Sequence, residues 1–184
     1  MAAAVILPAR GRPQGLADSK QLSAPAREAL ALQIRACALV GVGIASALEI
    51  DQINILRATH LAMRRAFDAL CVAAGARGSP APQAALIDGN SAPDLPCALE
   101  TIVDGDAHVP LISAASIIAK VDRDALMGAL ADRYPGYAFA QHKGYGTPEH
   151  QRALAALGPC AEHRMTFKPV RAAATRFAAG DGPA

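Results

Sequence analysis

Tryptophan is absent from the 184-residue sequence, and aromatic residues of all kinds make up only 4% of it. Charged residues are also few, at 18%, whereas hydrophobic residues reach 52%, a share that is raised by alanine. A chain of this length and composition is globular rather than disordered, and it suits a single domain. The net charge of +2 permits an anionic partner without demanding one.

Long apolar runs and paired cysteines are missing as well. No run approaches the eighteen or so apolar residues of a membrane-spanning helix, so we predict no membrane association. The first residues, MAAAVILPAR, have no basic region before their apolar run and do not match a signal peptide. The four cysteines form no CxxC pair, which favours reduced thiols and a cytoplasmic protein. No GxSxG or Walker sequence is present.

Strand and helix patterns alternate along the chain, which predicts an α/β protein. Short apolar or Val/Ile-rich runs predict strands at residues 2–7, 38–46, 84–87 and 99–103. Capping signals and apolar spacing predict helices from Ser23 to about 36, across Ile53 to Leu70, from Ser113 to about 133 and from Thr147 to Gly158. The alanine-rich tail after residue 171 is predicted to be mobile.

Two acidic residues follow predicted strands. Asp88 comes directly after AALI, and Asp106 ends the turn sequence VDGD. Functional groups collect at strand ends in α/β proteins, and carboxylates placed there can bind Mg²⁺ or Mn²⁺. Two such ions about 4 Å apart can hydrolyse a phosphodiester. The alternative is that both residues only form turns, and spacing alone favours that alternative.

The segment HKGYGTPEH places Lys143 and Tyr145 between glycines and ahead of a predicted helix. Lysine pairs with phosphate and tyrosine can stack on a sugar or base, so the segment is a candidate nucleic-acid contact; the alternative is an ordinary loop. Zinc-type ligands occur nearby at spacings that match no zinc motif: His142, His150, Cys160 and His163.

Six segments in order give the chain a clear resemblance to the ribonuclease HII family over residues 2–171. They are DSKQLS (18–23), EIDQINIL (49–56), LIDGN (86–90), GDAHVPLISAASIIAKVDRD (105–124), RYPGYAFAQHKGYGTPEH (133–150) and LGPCAEHRMTF (157–167). The resemblance implies a ribonuclease H-like mixed sheet flanked by helices. It also implies an endoribonuclease that acts on RNA/DNA hybrids and cuts 5′ of ribonucleotides embedded in DNA, in DNA replication and repair, with two Mn²⁺ or Mg²⁺ ions.

The resemblance also assigns residues. The family's site holds four carboxylates in the order Asp, Glu, Asp, Asp; Asp88 matches the third and Asp106 the fourth, and both are expected to be catalytic metal ligands. Tyr145 matches the tyrosine that packs at the ribose. The remaining matched positions are expected to contact nucleic acid or to support such contacts: Lys143, Lys20, Asn54, Ser113, Ser116 and Lys120.

The chain departs from the family's pattern at its start. In the family, a central strand with the segment Asp-Glu-Ala-Gly-Arg-Gly carries the first two carboxylates, whereas this sequence begins at Met1 in the following strand. We therefore expect an incomplete domain over residues 1–171 and doubtful activity for this chain alone. We also expect a disordered tail over residues 172–184 and a monomer. The alternatives are a non-catalytic nucleic-acid-binding remnant and a degraded gene product that does not fold stably.

Overall fold

The computed structural model describes residues 1–179, and this part of the chain forms four strands and seven helices. The strands are β1 (Ala2–Ile6), β2 (Leu39–Gly43), β3 (Ala84–Asp88) and β4 (Ala98–Ile102). The helices are α1 (Ala24–Cys37), α2 (Ala47–Ala76), α3 (Gly105–His108), α4 (Pro110–Arg133), α5 (Phe139–His142), α6 (Pro148–Leu157) and α7 (Lys168–Ala178). None of the helices within residues 1–179 is both long and apolar enough to cross a membrane.

The chain separates into two compact units. The first unit consists of Met1–Ala45 and Leu56–Val121, and it contains all four strands. The second unit consists of Ser46–Ile55 and the described residues from Asp122 onward, and it is helical. Each unit has its own buried core.

The strands of the first unit pair in two ways. β1 and β2 are antiparallel, with Ala2 opposite Gly43 and Ile6 opposite Leu39. β3 and β4 are parallel, with Ala84 opposite Ala98. Within residues 1–179 these are two separate two-stranded sheets. Parallel and antiparallel pairing together with flanking helices make this a mixed α/β fold, as the sequence predicted.

Small residues let β2 lie directly on helix α2. A Cβ on Gly41 would lie 2.1 Å from the Ala66 carbonyl oxygen, and a Cβ on Gly43 would lie 2.1 Å from the Ala62 carbonyl oxygen. Buried residues of α2 recur every four positions from 58 to 74, and all of these except Leu70 are alanine. This stripe, together with Phe67, forms the buried face, whereas Leu56 near the start of the helix is exposed.

The core of the first unit is built by helices α1 and α4 against β1 and β2. Ile34, Ile117 and Ile118 are completely buried there. A second cluster joins Phe67 of α2 to Ile87 of β3. Ile87 therefore anchors the end of β3, one residue before Asp88, in the protein interior.

The second unit packs around Met127, Tyr137 and Phe139. The rings of Tyr137 and Phe139 are stacked, with centroids 5.2 Å apart. The Tyr137 hydroxyl donates a 2.6 Å hydrogen bond to the Gly158 carbonyl oxygen. This bond ties the segment before α5 to the end of α6.

The prediction of a disordered tail beginning at residue 172 is wrong over residues 172–178. These residues belong to α7, whose Val170 and Ala173 are buried against Leu154 of α6. Alanine is the best helix former, so an alanine-rich segment folds once one face finds a partner. Residues 180–184 of the predicted tail lie outside the described residues.

The predicted helix starts at Ser23 and Thr147 are confirmed, since each side chain accepts a hydrogen bond from a backbone N–H in the first turn. The predicted cap at Ser113 is wrong. Helix α4 begins at Pro110, so Ser113 lies inside its first turn. Proline suits the first helical position because the N–H that it lacks would have no partner within the helix there. The helix predicted to end at Gly158 does so.

Candidate functional site

The end of β3 brings Asp88 against the turn that carries Asp106. An ideal Cβ built on Gly105 would lie 3.4 Å from Asp88 Oδ1 and 2.5 Å from Ile112 Cδ1, so the absence of a side chain at Gly105 allows this approach. Gly89 N–H donates a 2.8 Å bond to the carbonyl oxygen at the end of β4, which extends the pairing past Asp88. The turn formers of the sequence are therefore also the residues that bring the two carboxylate-bearing segments together.

The two carboxylates have different surroundings. Asp88 is exposed, whereas Asp106 is buried at 7% exposure in the first turn of α3. The Asp106 carbonyl oxygen accepts a 2.8 Å hydrogen bond from the Ser113 hydroxyl, which is itself buried. Asp104, two residues earlier, takes the left-handed conformation (φ 53°) that starts this short helix. The backbone of Asp106 is thus held firmly from α4.

Lys20 supplies a positive charge to this site. Its Nζ lies 3.5 Å from Asp106 Oδ2, although 78% of the lysine side chain is exposed. The charges of Asp106, then of Asp18, and least of all of Asp88, raise the pKa of Lys20 above its ordinary value. All of these groups belong to the first unit. Lys20 therefore lies beside Asp106, one of the two predicted carboxylates.

The loop that carries Lys20 has a fixed shape. The Asp18 carboxylate accepts a 2.9 Å bond from Lys20 N–H. Buried Ser19 lies with its hydroxyl 3.0 Å from the hydroxyl of Ser116 on α4. The loop is therefore docked onto α4 one residue before Lys20, and a docked loop presents its next side chain in a defined direction.

Three predicted polar residues lie on α4 at helical spacing. Ser113, Ser116 and Lys120 are separated by three and four positions and so share one face of the helix. Ser113 bonds Asp106 and Val109, and Ser116 bonds Ser19. Both serines therefore hydrogen-bond segments that carry candidate site residues. Lys120 is half-buried farther along the same face.

Asn54 occupies an unusual backbone conformation. It lies within α2 at φ 68° and ψ 167°, where the helix is kinked. Asparagine tolerates positive φ better than most residues, but this combination with extended ψ is adopted mainly by glycine and costs about 1–3 kcal/mol. Asn54 is exposed. Strain of this kind at an exposed polar residue is compatible with the nucleic-acid contact that the sequence predicts.

The Lys143–Tyr145 loop belongs to the second unit and is tightly bonded. Lys143 has a left-handed backbone (φ 51°), its Nζ donates to the Asp124 carbonyl oxygen at 3.4 Å, and its own carbonyl oxygen accepts from Arg123. Tyr145 N–H donates to the carbonyl oxygen of His142 at 2.8 Å. The Tyr145 side chain is nevertheless 64% exposed.

Comparisons with known proteins identify the family of this chain. The family model for ribonuclease HII matches residues 1–170. The chain belongs to the ribonuclease HII family. It is 55% identical over 172 residues to ribonuclease HII of Bordetella pertussis, covering 93% of this chain and 82% of that protein, and 51% identical to ribonuclease HII of Nitrosococcus oceani with the same coverage.

Solved structures show the same fold. Ribonuclease H2 from Pyrococcus horikoshii matches with a TM-score of 0.61 and 20% identity over 96% of this chain and 98% of that chain. The ribonuclease HII of Archaeoglobus fulgidus, solved in a complex with PCNA, matches with a TM-score of 0.58 and 23% identity over 83% of this chain and 78% of that chain. The family membership makes this chain a ribonuclease H, a hydrolase.

Ribonuclease HII enzymes depend on divalent metals, and the donor chemistry of this site suits such an ion. Asp88 and Asp106 offer carboxylate oxygens, which Mg²⁺ and Mn²⁺ prefer. Two carboxylates carry two negative charges, however, whereas two divalent ions would carry four positive ones. Within residues 1–179, no group of three or more His, Cys, Asp or Glu side chains is placed to hold a metal ion. The two aspartates therefore fit one weakly held cation better than a pair.

Reasoning from the sequence missed two residues in the first unit and the contacts among three histidines in the second. Gly105 and Ser19 escaped notice, although the glycine before Asp106 and the serine between two charged residues were visible in the DGD and DSK motifs. The histidines at 142, 150 and 163 were considered only as metal ligands. In the structure His150 contacts both His142 and His163.

Proposed function

We propose that this chain carries the site of an endonuclease that hydrolyses the RNA strand of RNA/DNA hybrids and cuts on the 5′ side of ribonucleotides embedded in DNA. The observation that carries the proposal is the approach of Asp88 to the Gly105–Asp106 turn, with Lys20 beside it. Asp88 and Asp106 would hold the divalent cation. When bound, Mg²⁺ or Mn²⁺ supplies an activated water and stabilises the charge on the leaving oxygen.

The residues of the chain contribute binding and orientation. Lys20 would pair with a phosphate of the substrate once Asp106 is engaged elsewhere, because an exposed ammonium exchanges partners easily. Tyr145 would pack against the ribose, and Lys143 and Asn54 would border the nucleic acid. These roles agree with the exposure of Lys20, Tyr145 and Asn54. We also propose that the protein is a monomer and acts in the cytoplasm.

We also propose that the chain by itself turns over slowly, because two carboxylates position a pair of divalent ions poorly. The test compares the 184-residue chain with a form extended at its N terminus by the family's central strand, with its segment Asp-Glu-Ala-Gly-Arg-Gly-Pro-Leu-Ala-Gly-Pro. Comparable cleavage rates for the two forms would show that the reasoning from the number of carboxylates is wrong.

The substrate is a labelled DNA duplex with one embedded ribonucleotide, and an all-DNA duplex of the same sequence is the control. With Mn²⁺ or Mg²⁺ present, the extended form should cut only the first duplex, leaving the ribonucleotide at the 5′ end of the product. Cleavage of the all-DNA duplex, or cleavage that persists in EDTA, would refute the proposal.

Nucleic-acid binding without cleavage is the second candidate. The ion pair between Lys20 and Asp106 favours it, since the pair neutralises one of the two carboxylates. If both forms bind the duplex and neither cuts it with either metal, this second candidate is the correct one.

A further inference from the structure

Three histidine side chains of the second unit form a continuous cluster. The rings of His142 and His150 are stacked with centroids 4.3 Å apart, and His150 Nε2 lies 3.1 Å from His163 Nε2. His142 and His163 are buried at 6% and 7% exposure. Buried imidazoles need partners for both nitrogens, and the identity of those partners fixes where each proton is.

Protons along the cluster are assigned from both ends. At one end Cys160 N–H donates to His163 Nδ1 at 3.0 Å, so the proton of neutral His163 is on Nε2. At the other end His150 Nδ1 lies 2.9 Å from the Tyr145 carbonyl oxygen, which can only accept, so His150 carries its proton on Nδ1. The remaining contact is then a bond from His163 Nε2–H to bare His150 Nε2. The two assignments agree.

The hydrogen-bond partners of His142 assign its proton in the same way. Its Nδ1 accepts from Gly144 N–H at 3.2 Å, and its Nε2 donates to the Tyr137 carbonyl oxygen at 2.6 Å. The stacked ring of His150 therefore rests on a ring whose orientation is also fixed. All three imidazoles have a consistent set of bonds only when all three are neutral.

The chain of bonds ends on the backbone of Tyr145. The Tyr145 carbonyl oxygen accepts from His150 Nδ1–H and from Thr147 N–H, at 2.9 and 2.8 Å. The Tyr145 N–H donates to the backbone of His142. A backbone held at both its N–H and its carbonyl group carries a side chain that is 64% exposed. Such rigidity is useful where a ring must meet a ligand in one orientation.

We propose that His150, oriented by His163, is a positioning residue that sets the direction in which Tyr145 meets the nucleic acid. The proposal rests on the proposed function, since it takes the Tyr145 ring as a substrate contact. It adds that the contact depends on one tautomer of a histidine that does not touch the substrate.

Protonation should weaken this arrangement. An added proton on His150 Nε2 or on His163 Nδ1 would face another N–H. The titratable groups around the pair are His142, Tyr137, Cys160 and Glu162, and burial lowers the pKa of both His150 and His163. The low pKa keeps the chain of bonds intact at neutral pH.

Two substitutions separate positioning from packing. In His150→Asn the amide nitrogen replaces Nδ1 and keeps the donor to the Tyr145 carbonyl oxygen. In His150→Gln the longer side chain reaches toward His163 and the donor to Tyr145 is lost. One hydrogen bond contributes about 0.5–1.5 kcal/mol, so His150→Gln should weaken binding of a ribonucleotide-containing duplex, measured without divalent metal, about 3- to 10-fold. His150→Asn should stay within about twofold of the parent.

The Tyr145→Ala variant shows whether the effect passes through tyrosine. In that background His150→Gln should cause no further loss of binding. Binding of the parent should weaken as the pH falls from neutral through the lowered pKa values of His150 and His163, while binding of Tyr145→Ala does not. Equal losses for His150→Asn and His150→Gln, or additive losses with Tyr145→Ala, would overturn the proposal. If Tyr145→Ala binds as well as the parent, the substrate role of Tyr145 fails, and the proposal fails with it in its functional part.

A readout independent of nucleic acid tests the bonds themselves. In ¹⁵N-detected NMR of the whole chain at neutral pH, the couplings of imidazole protons report which nitrogen is protonated. We expect Nδ1–H for His150 and Nε2–H for His142 and His163, with the His150 signal shifting in His163→Ala. An Nε2–H tautomer of His150 would overturn the positioning chain even if Tyr145 binds substrate.

Discussion

Lys20 should compete with a divalent cation for Asp106, and Lys20→Gln should therefore tighten Mn²⁺ binding. Two unit charges 3.5 Å apart interact by about 1 kcal/mol in water and by about 4–5 kcal/mol at an effective dielectric constant of 20. The value for water applies here, because 78% of the lysine side chain is exposed. The expected gain is therefore about fivefold in Mn²⁺ affinity.

The assay is calorimetric titration of the chain with Mn²⁺ at low salt, repeated at high salt, where screening should shrink the difference. Arg77→Gln is the matched control, because it removes one positive charge from the same unit at the end of α2, and it should change affinity less than twofold. Binding of the nucleic acid should move the other way and weaken in Lys20→Gln. Unchanged or weaker Mn²⁺ binding in Lys20→Gln would refute the idea that the ammonium neutralises the metal site.

Three further predictions concern stability. Gly105→Ala should lower the free energy of unfolding in urea by about 1–3 kcal/mol through overpacking. Gly75→Ala, whose added Cβ meets nothing within 4 Å, should be neutral or stabilising. Equal effects of the two substitutions would show that the turn at Gly105 is not tightly packed. Burial lowers the pKa of His150 and His163 in the folded chain, so the unfolded chain binds more protons as the pH falls. The free energy of unfolding should therefore be full above about pH 6.5 and be lost as the pH drops through the lowered pKa values. A flat profile from pH 7.5 to 5 would contradict this. Tyr137→Phe should cost about 1–3 kcal/mol, because it leaves a carbonyl oxygen without its buried donor, and a loss within error would show that water replaces the hydroxyl.

Local signals in the sequence predicted the elements that depend on local physics. Ser23 and Thr147 cap helices because their side chains can accept from backbone N–H groups within one turn, whatever the rest of the chain does. The run before Asp88 formed the predicted strand, because a short apolar segment bounded by turn residues has few other options. Helix α7 was missed because its folding depends on Leu154, a partner that composition does not reveal.

The candidate site residues came from the sequence, whereas their contacts could not be predicted from it. Asp88 and Asp106 were picked out by resemblance, since spacing alone favoured simple turns. The approach of Asp88 to Gly105 depends on how β3 meets the following turn, and nothing in the sequence sets that distance. The link from His163 through His150 to Tyr145 joins residues up to eighteen positions apart through ring tautomers. Tautomers are set by three-dimensional partners and cannot be inferred from order along the chain.

The single-turnover cleavage rate of a duplex with one embedded ribonucleotide, measured in the extended form with Mn²⁺, tests the central claim most directly. Asp88→Asn and Asp106→Asn should each slow cleavage on the order of 100-fold or more, because each removes a charge that would hold the cation at the reacting phosphate. Asp104→Asn removes the same charge two residues from Asp106, and asparagine accepts its left-handed backbone; it should cut within about threefold of the parent. Parent-like cleavage by Asp88→Asn or Asp106→Asn, or an equal loss in Asp104→Asn, would contradict the assignment of these two carboxylates.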